Sequence, residues 1–308
     1  MNNLQYTFTI FTPCYNSEKF IHRVFESLNR QTYRNFEWIV INDASTDNTA
    51  QLIKRYIKTV DFDVQFFDLS KNQMLSKNFN LAVKSAKGCF FLPTGHDDEF
   101  VEDTLEKLLA YWTEYGSDKF SGISCLCKNQ TGNIVGDFFP CSPYFSNYFE
   151  IIYDKKIKGE KWGMTRTDVM KEFLLPEDID DYISEALIWA GIGSKYKTIY
   201  LNEPLRIYYM NEQGFITLSS LNKYKFKYIK GIRYQNLIMI NKYISFINGN
   251  YKRKLIFFIN YIRMSLHSNI NLFKIINDIE GKLNKLLTIL LLFVGYAVSK
   301  KDKLQKRI

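Results

Sequence analysis

Gly95-His96-Asp97-Asp98-Glu99 places three carboxylates in a row shortly after the apolar run Cys89-Phe90-Phe91-Leu92. Adjacent carboxylates repel one another unless something positive holds them. A hard divalent cation bound to phosphate oxygens is such a partner, with Asp97 and Asp98 as the candidate ligands. The plainer reading is that Asp97, Asp98 and Glu99 favour the start of a following helix. Two further polar clusters precede this one, Thr12-Pro13-Cys14-Tyr15-Asn16 and Asn42-Asp43-Ala44-Ser45-Thr46-Asp47. Together they suit a nucleotide: Tyr15 can stack on a base, Asp43 can accept from a base N–H or a ribose hydroxyl, and Asp97 can hold the metal.

The elements that must position these residues follow from the apolar pattern. Residues 6–11 alternate like a strand, 36–41 and 64–69 read as strands, and Phe90-Phe91-Leu92 between Gly88 and Pro93 reads as a buried one. Between them lie helical patterns. Ser17 is the expected cap of a helix carrying Ile21, Val24, Phe25 and Leu28, and Ser45-Thr46-Asp47 caps one carrying Leu52, Ile53, Tyr56 and Ile57. Residues 76–86 and 103–115 complete the series. Strand–helix alternation with short connections predicts a doubly wound parallel sheet whose right-handed crossovers bring the strand carboxyl ends to one edge. Ligands bind outside that edge. No GxGxxG follows the first strand and no GxxxxGK[ST] occurs, which argues against a dinucleotide or P-loop site.

The chain has 308 residues, of which 46% are apolar, enough for one large domain with an appendage or for two domains. Residues 1–12 carry no signal-peptide pattern. Five cysteines without a CxxC pair suggest free thiols in a reducing cytosol, with Cys125 and Cys127 as packing residues. The net charge of +9 is concentrated in the tail: residues 219–308 hold 18 Lys/Arg against 3 Asp/Glu, and residues 1–218 hold 23 against 29. Such a tail suits an anionic lipid surface, whereas nucleic-acid binding is disfavoured by the lack of a recognised module. Leu283 to Val298 is nearly all apolar, shorter than the roughly 20 residues of a spanning helix, and flanked by Lys282 and Lys300-Lys301. It reads as an interfacial anchor or as a helix packed on the catalytic domain.

Thr12-Pro13-Cys14-Tyr15-Asn16, Gln31-Thr32-Tyr33, Phe36-Glu37, Asn42 to Asp47, Ala86-Lys87-Gly88 and Asp97-Asp98 occur in an order that resembles family 2 glycosyltransferases. The resemblance spans about residues 6–112. It implies an α/β GT-A fold, a Rossmann-like, mostly parallel sheet with helices on both faces, here with a helical C-terminal extension. It also implies a nucleotide-diphosphate sugar donor (a UDP-sugar being expected), Mg²⁺ or Mn²⁺, inversion at the anomeric centre, and donor contacts from Thr12, Pro13, Tyr15, Asp43 and Asp97. Three positions depart from the family pattern. Gly95 stands where the first Asp of a DxD motif is usual, Met74 where Gly is usual, and Asn78-Phe79 where an Ala-Arg pair is usual, the Arg being a nucleotide contact.

By the same resemblance the chain divides into a glycosyltransferase domain, 1–218 (donor half 1–115, acceptor half 116–218), and a basic helical region, 219–308. The acceptor half supplies the general base at the start of a helix. In that register Glu185 takes the base position, with Asp181 the runner-up and a solvent-facing Glu185 the plainer alternative. Trp162 and Trp189 suit sugar stacking or, more commonly, core packing. Residues 121–128 and 134–139 suggest a hairpin around Thr131-Gly132-Asn133. Asn202 to Tyr209 reads as a return to the sheet. The expected function is sugar transfer to a glycan or lipid-linked acceptor for bacterial surface polysaccharide, at the inner face of the cytoplasmic membrane. The alternatives are an idle homologue serving as a nucleotide-sugar or membrane scaffold, and a nucleotidyltransferase. Oligomeric state is left open.

Overall fold

The computed structural model describes residues 5–209 and 227–304. These residues form two compact units. The first comprises 5–148, 157–174 and 195–209 and holds the whole sheet described here. The second comprises 149–156, 175–194 and 227–304.

In the sheet unit, β1 (Tyr6–Cys14), β2 (Phe36–Asp43), β3 (Asp63–Leu69) and β4 (Gly88–Pro93) run parallel in the order β3-β2-β1-β4. They are linked through α1 (Ile21–Asn29), α2 (Thr49–Ile57) and α3 (Met74–Ser85). β2 is buried along its entire length, as an apolar run covered on both faces should be. Its Glu37 is buried as well, satisfied by the Thr9 hydroxyl at 2.6 Å, the Gln65 side-chain amide at 2.7 Å and the Lys87 amide at 2.7 Å. Beyond β5 (Glu99–Phe100) and α4 (Thr104–Tyr115) the sheet becomes mixed. β6 (Phe120–Lys128) lies antiparallel to β8 (Lys161–Arg166), which in turn lies antiparallel to β4. β9 (Lys197–Ile207) runs parallel to β6, with β5 and β7 (Tyr144–Ser146) antiparallel to it. α5 (Thr167–Glu172) follows β8.

Two local expectations are corrected. The hairpin around Gly132 is reduced to a single bridge, Lys128 with Ile134, because β6 pairs with β8 and β9 instead. Ser17 does not cap α1 through its side chain: its hydroxyl accepts from the Tyr15 amide at 3.1 Å, and a turn intervenes before Ile21. Residues 202–207 do return to the sheet as the end of β9. All five cysteines are unpaired, and burial pushes the Cys127 thiol up to about 11, consistent with packing.

The second unit is helical: α6 (Ala186–Lys195), α7 (Ile229–Ile238), α8 (Tyr251–His267), α9 (Leu272–Asn277) and α10 (Lys282–Leu304). The opening of the basic tail, 219–226, lies outside the described residues. Asn250 and Asn271 cap α8 and α9 by accepting from the amides of Arg253 at 3.2 Å and Lys274 at 2.8 Å. The buried Tyr261 hydroxyl donates to the Ile275 carbonyl at 3.2 Å, tying α8 to α9.

Candidate active site

The parallel register aligns Cys14 with Asn42 and Phe11 with Pro93, so the ends of β1, β2 and β4 share one edge. Thr12, Pro13, Tyr15, Asp43, Asp97 and Asp98 all lie at that edge or in the loops leaving it. The loops are bonded to one another. The Asn16 amide donates to the Ser45 hydroxyl at 2.9 Å, and the Asn16 side-chain carbonyl accepts from the Thr46 amide at 2.9 Å. The Ser17 amide donates to the Thr49 hydroxyl at 2.7 Å. Each loop leaving β1, β2 and β3 holds one non-glycine residue in the left-handed region: Asn16 (φ 51°), Ala44 (φ 57°) and Met74 (φ 65°). Such strain persists where surrounding structure over-determines it, commonly at binding sites. Met74 confirms that the backbone there is one a glycine would adopt more readily.

Individual side chains have distinct surroundings. Thr12 is fully buried, and its hydroxyl accepts from the Trp38 indole N–H at 3.0 Å. Tyr15 is 51% exposed, leaving its ring face open at the edge. Asp43 is buried, and its carboxylate accepts from the amides of Gln73 at 2.7 Å and Met74 at 3.1 Å, which fixes the start of α3. A carboxylate has about four acceptor positions, so two remain. Phe79 is a core residue, edge-on to Phe11 at 5.8 Å and to Phe91 at 5.6 Å, so position 79 sends no side chain to the edge.

Asp97 and Asp98 are neighbours with different fates. Asp97 sits half-exposed in the turn after β4. Asp98 is buried against Arg206, 3.1 Å away, and also accepts from the Gly95 amide at 2.8 Å. Burial raises the Asp98 carboxyl above the usual carboxylate range, and the Arg206 guanidinium beside it pulls it back. Glu160 also binds Arg206, at 3.1 Å. A Cβ at position 95 would lie 2.6 Å from the Asp97 Oδ1 and 2.8 Å from the Asp98 Oδ2. Any side chain at position 95 would therefore require these carboxylates to shift.

His96, Arg206 and Glu160 were not singled out by sequence reasoning. The His96 imidazole is bonded to the Pro13 backbone and is kept below its usual pKa by burial, linking the β1 and β4 loops. A charged residue inside the β9 strand pattern was the available signal for Arg206, but its carboxylate partner was not identifiable by spacing. Trp162 packs in the core, with its indole N–H donating to the Pro93 carbonyl at 2.7 Å.

Asp181 and Glu185 belong to the helical unit. Asp181 is buried, and its two oxygens accept from the amides of Tyr182 at 2.8 Å and Gly231 at 2.9 Å. Glu185 is half-exposed at the entry to α6, its carbonyl accepting from the Ile188 amide at 2.8 Å. Trp189 is half-buried on α6.

Among the described residues no group of three or more His, Cys, Asp or Glu side chains converges into a metal cage. Asp97 nevertheless offers a hard oxygen donor in an accessible turn. A cation of the Mg²⁺ type keeps several waters and needs only one or two carboxylates beside phosphate oxygens, which this donor set fits.

The sequence model of the family described as Glycosyl transferase family 2 matches residues 9–172, just over half of the chain. The poly(ribitol-phosphate) beta-N-acetylglucosaminyltransferase TarS of Staphylococcus aureus is 34% identical over 113 residues, 36% of this chain and 20% of that protein. A GalNAc(5)-diNAcBac-PP-undecaprenol beta-1,3-glucosyltransferase of Campylobacter jejuni is 24% identical over 222 residues, 70% of this chain and 69% of that protein. The match to TarS thus spans only a fifth of that relative's length. The crystal structure of Staphylococcus aureus TarS 1–349 in complex with UDP-GlcNAc superposes with a TM-score of 0.60 at 20% identity, covering 97% of this chain and 92% of that one. That likeness is one of fold, and the fold is the α/β GT-A arrangement that the motifs imply.

Proposed function

The chain belongs to glycosyl transferase family 2, and from that premise we propose that it transfers a sugar from a nucleotide-diphosphate donor, a UDP-sugar, to a glycan or lipid-linked acceptor. The observation that carries this reading is the shared edge of β1, β2 and β4, which carries an exposed Tyr15, an Asp43 with acceptor positions left over and a partly exposed Asp97. The relatives named for N-acetylglucosaminyl and undecaprenol-linked glucosyl transfer support the choice of donor and acceptor class.

In this reading Tyr15 stacks on the base, and Asp43 accepts from the base or ribose with its remaining lone pairs. Pro13 supports the β1 turn through its link to His96. Thr12 contributes backbone, since its hydroxyl is taken by Trp38. Asp97 would hold Mg²⁺ or Mn²⁺, while Asp98, neutralised by Arg206, orients the turn. When bound, the cation supplies charge stabilisation to the departing diphosphate. The general base is assigned to Glu185, which is partly exposed at the entry to α6, whereas Asp181 is buried and holds two backbone amides in place. Its carboxylate takes the acceptor hydroxyl proton as that oxygen bonds the anomeric carbon and the nucleoside diphosphate leaves, inverting the centre.

A donor that binds the native state raises its melting temperature. Thermal shift with UDP-sugars and Mn²⁺, followed by an assay for nucleoside diphosphate release, tests the reading. A shift followed by release is expected. A shift without release with every acceptor would favour the idle scaffold, to which the buried Phe79 in place of a cation lends some weight.

A further inference from the structure

The C-terminal helix α10 is inverted relative to a helix of a water-soluble surface. Its buried residues are Thr288, Gly295, Ser299 and Asp302, all small or polar. Its exposed residues include Leu283, Leu286, Ile289, Leu290, Phe293 and Val294, with Leu290 at 67% and Phe293 at 79% exposure. At 100° per residue these two sets lie on opposite sides of the helix. The polar seam packs on α8. Gly295 approaches so closely that a Cβ there would come within 2.4 Å of the Ile262 Cγ2. Asp302 accepts from the Arg263 Nη2 at 2.6 Å and lies 3.0 Å from the His267 Nε2. Small residues at the helix contact and polar groups turned inward are the arrangement of helices whose outer solvent is lipid.

We propose that the outer face of α10 docks in the plane of an anionic lipid membrane. Charge chooses this occupant over a second copy of the chain. Lysines 282, 300 and 301 stand at the two ends of the apolar face, and the single acidic residue on α10, Asp302, is buried against Arg263. Any two-fold pairing of this face with itself sets lysine ends against lysine ends, with no acid on the helix to separate them. Lipid phosphates supply the missing counter-charge, and the lysine stems reach it while the apolar middle inserts. Length alone would allow crossing, since the 23 residues of α10 span about 34 Å at 1.5 Å per residue against the roughly 30 Å hydrocarbon core; its neighbour favours lying flat. α8, bonded along the inner seam, carries Lys252, Arg253, Lys254 and Arg263. The inference stands apart from sugar transfer and survives or fails independently of it.

Flotation of the full chain with phosphatidylcholine vesicles, with and without phosphatidylglycerol, tests it. Wild type should float with the phosphatidylglycerol vesicles, and added salt should reduce the bound fraction without abolishing it, since only the electrostatic part is screened. Leu290→Glu with Phe293→Glu should abolish flotation while leaving the melting temperature within a degree or two, both side chains being exposed. Lys300→Gln with Lys301→Gln should lower partitioning about fivefold per lysine. Wild type that stays with the dense fraction overturns the proposal. A dimer that Leu290→Glu/Phe293→Glu dissociates in sedimentation, without lipid binding, would assign the face to a second copy and overturn it too. So would a large fall in the melting temperature of that variant, which would mean that protein covers the face.

Discussion

The two units obey one burial rule and arrive at opposite surfaces. In the sheet unit, Phe8, Trp38, Val40 and Leu92 are sealed inside and the polar residues crowd the edge where the parallel strands end. In the helical unit, α10 seals Thr288, Ser299 and Asp302 inside and turns leucines and a phenylalanine outward. The edge of the sheet gathers polar groups, and the outer face of α10 exposes apolar ones. The same comparison holds at the scale of two residues. Asp97 and Asp98 share one turn, yet one is partly exposed and the other closes a buried ion pair. Sequence proximity sets neither exposure nor role; the partner available across the fold does.

The largest effect should come from the residue that would break the division between a chemical unit and a supporting one. Glu185→Gln keeps shape and removes the proton acceptor, so sugar transfer should slow by about 10²–10⁴-fold with donor affinity nearly unchanged. Single-turnover rates beside donor titrations measure the two separately. Equal rates in variant and wild type would return all the chemistry to the sheet unit. Asp181→Asn should instead lower stability, because Asp181 holds the Gly231 and Tyr182 amides.

The paired carboxylates sharpen the comparison next. Asp98→Asn strips Arg206 of a buried partner, which typically costs about 3–5 kcal/mol; with Glu160 still 3.1 Å from Arg206, the lower end is expected. Asp97→Asn should leave unfolding within about 0.5 kcal/mol of wild type and remove the Mn²⁺ dependence of donor binding. Urea unfolding and donor titration with and without Mn²⁺ would have to show opposite patterns for the two variants. Matching patterns would collapse the distinction drawn between them.

How much of this was legible in advance depends on the range of the interaction. The four parallel strands and the edge they share follow from local apolar pattern and short connections, and the motifs place Tyr15, Asp43 and Asp97 there. The mixed half was harder to read. β6 looked like one arm of a hairpin because its true partners, β8 and β9, lie more than thirty and seventy residues away in sequence. The Asp98–Arg206 pair joins the turn before β5 to β9, and no periodicity announces it. The apolar run of the tail was visible, but its polar inner seam needed α8 to be in place.

A smaller effect separates side chains that face the ligand from those that hold the edge in shape. Thr12 stands in the donor motif, but its hydroxyl is spent on Trp38. Thr12→Val should therefore destabilise the fold by about 1–3 kcal/mol, the usual penalty for a buried donor left unmatched, and change donor affinity little in the protein that remains folded. Chemical denaturation and donor binding at a temperature well below the transition report the two terms. A selective loss of donor affinity with normal stability would move Thr12 into the binding surface.

The smallest effect tests whether the edge is held under strain. Met74 sits at φ 65°, where its amide donates to the Asp43 carboxylate and the Asn72 side-chain carbonyl, each at 3.1 Å. The left-handed region costs a residue with a Cβ roughly 1–2 kcal/mol. Glycine removes that cost and keeps the amide, but it adds about 0.5–1 kcal/mol of unfolded-chain entropy. Met74→Gly should thus gain up to about 1 kcal/mol of stability, less whatever the half-buried thioether contributes by packing. Met74→Val should move the other way, because a β-branched residue tolerates positive φ least. If the backbone were free to leave this conformation, the valine variant would unfold at the same denaturant concentration as wild type. If it is pinned by Asp43, the order of stability is Gly, then Met, then Val, and Asp43→Ala should narrow the gap between Gly and Val by releasing the amide that enforces it.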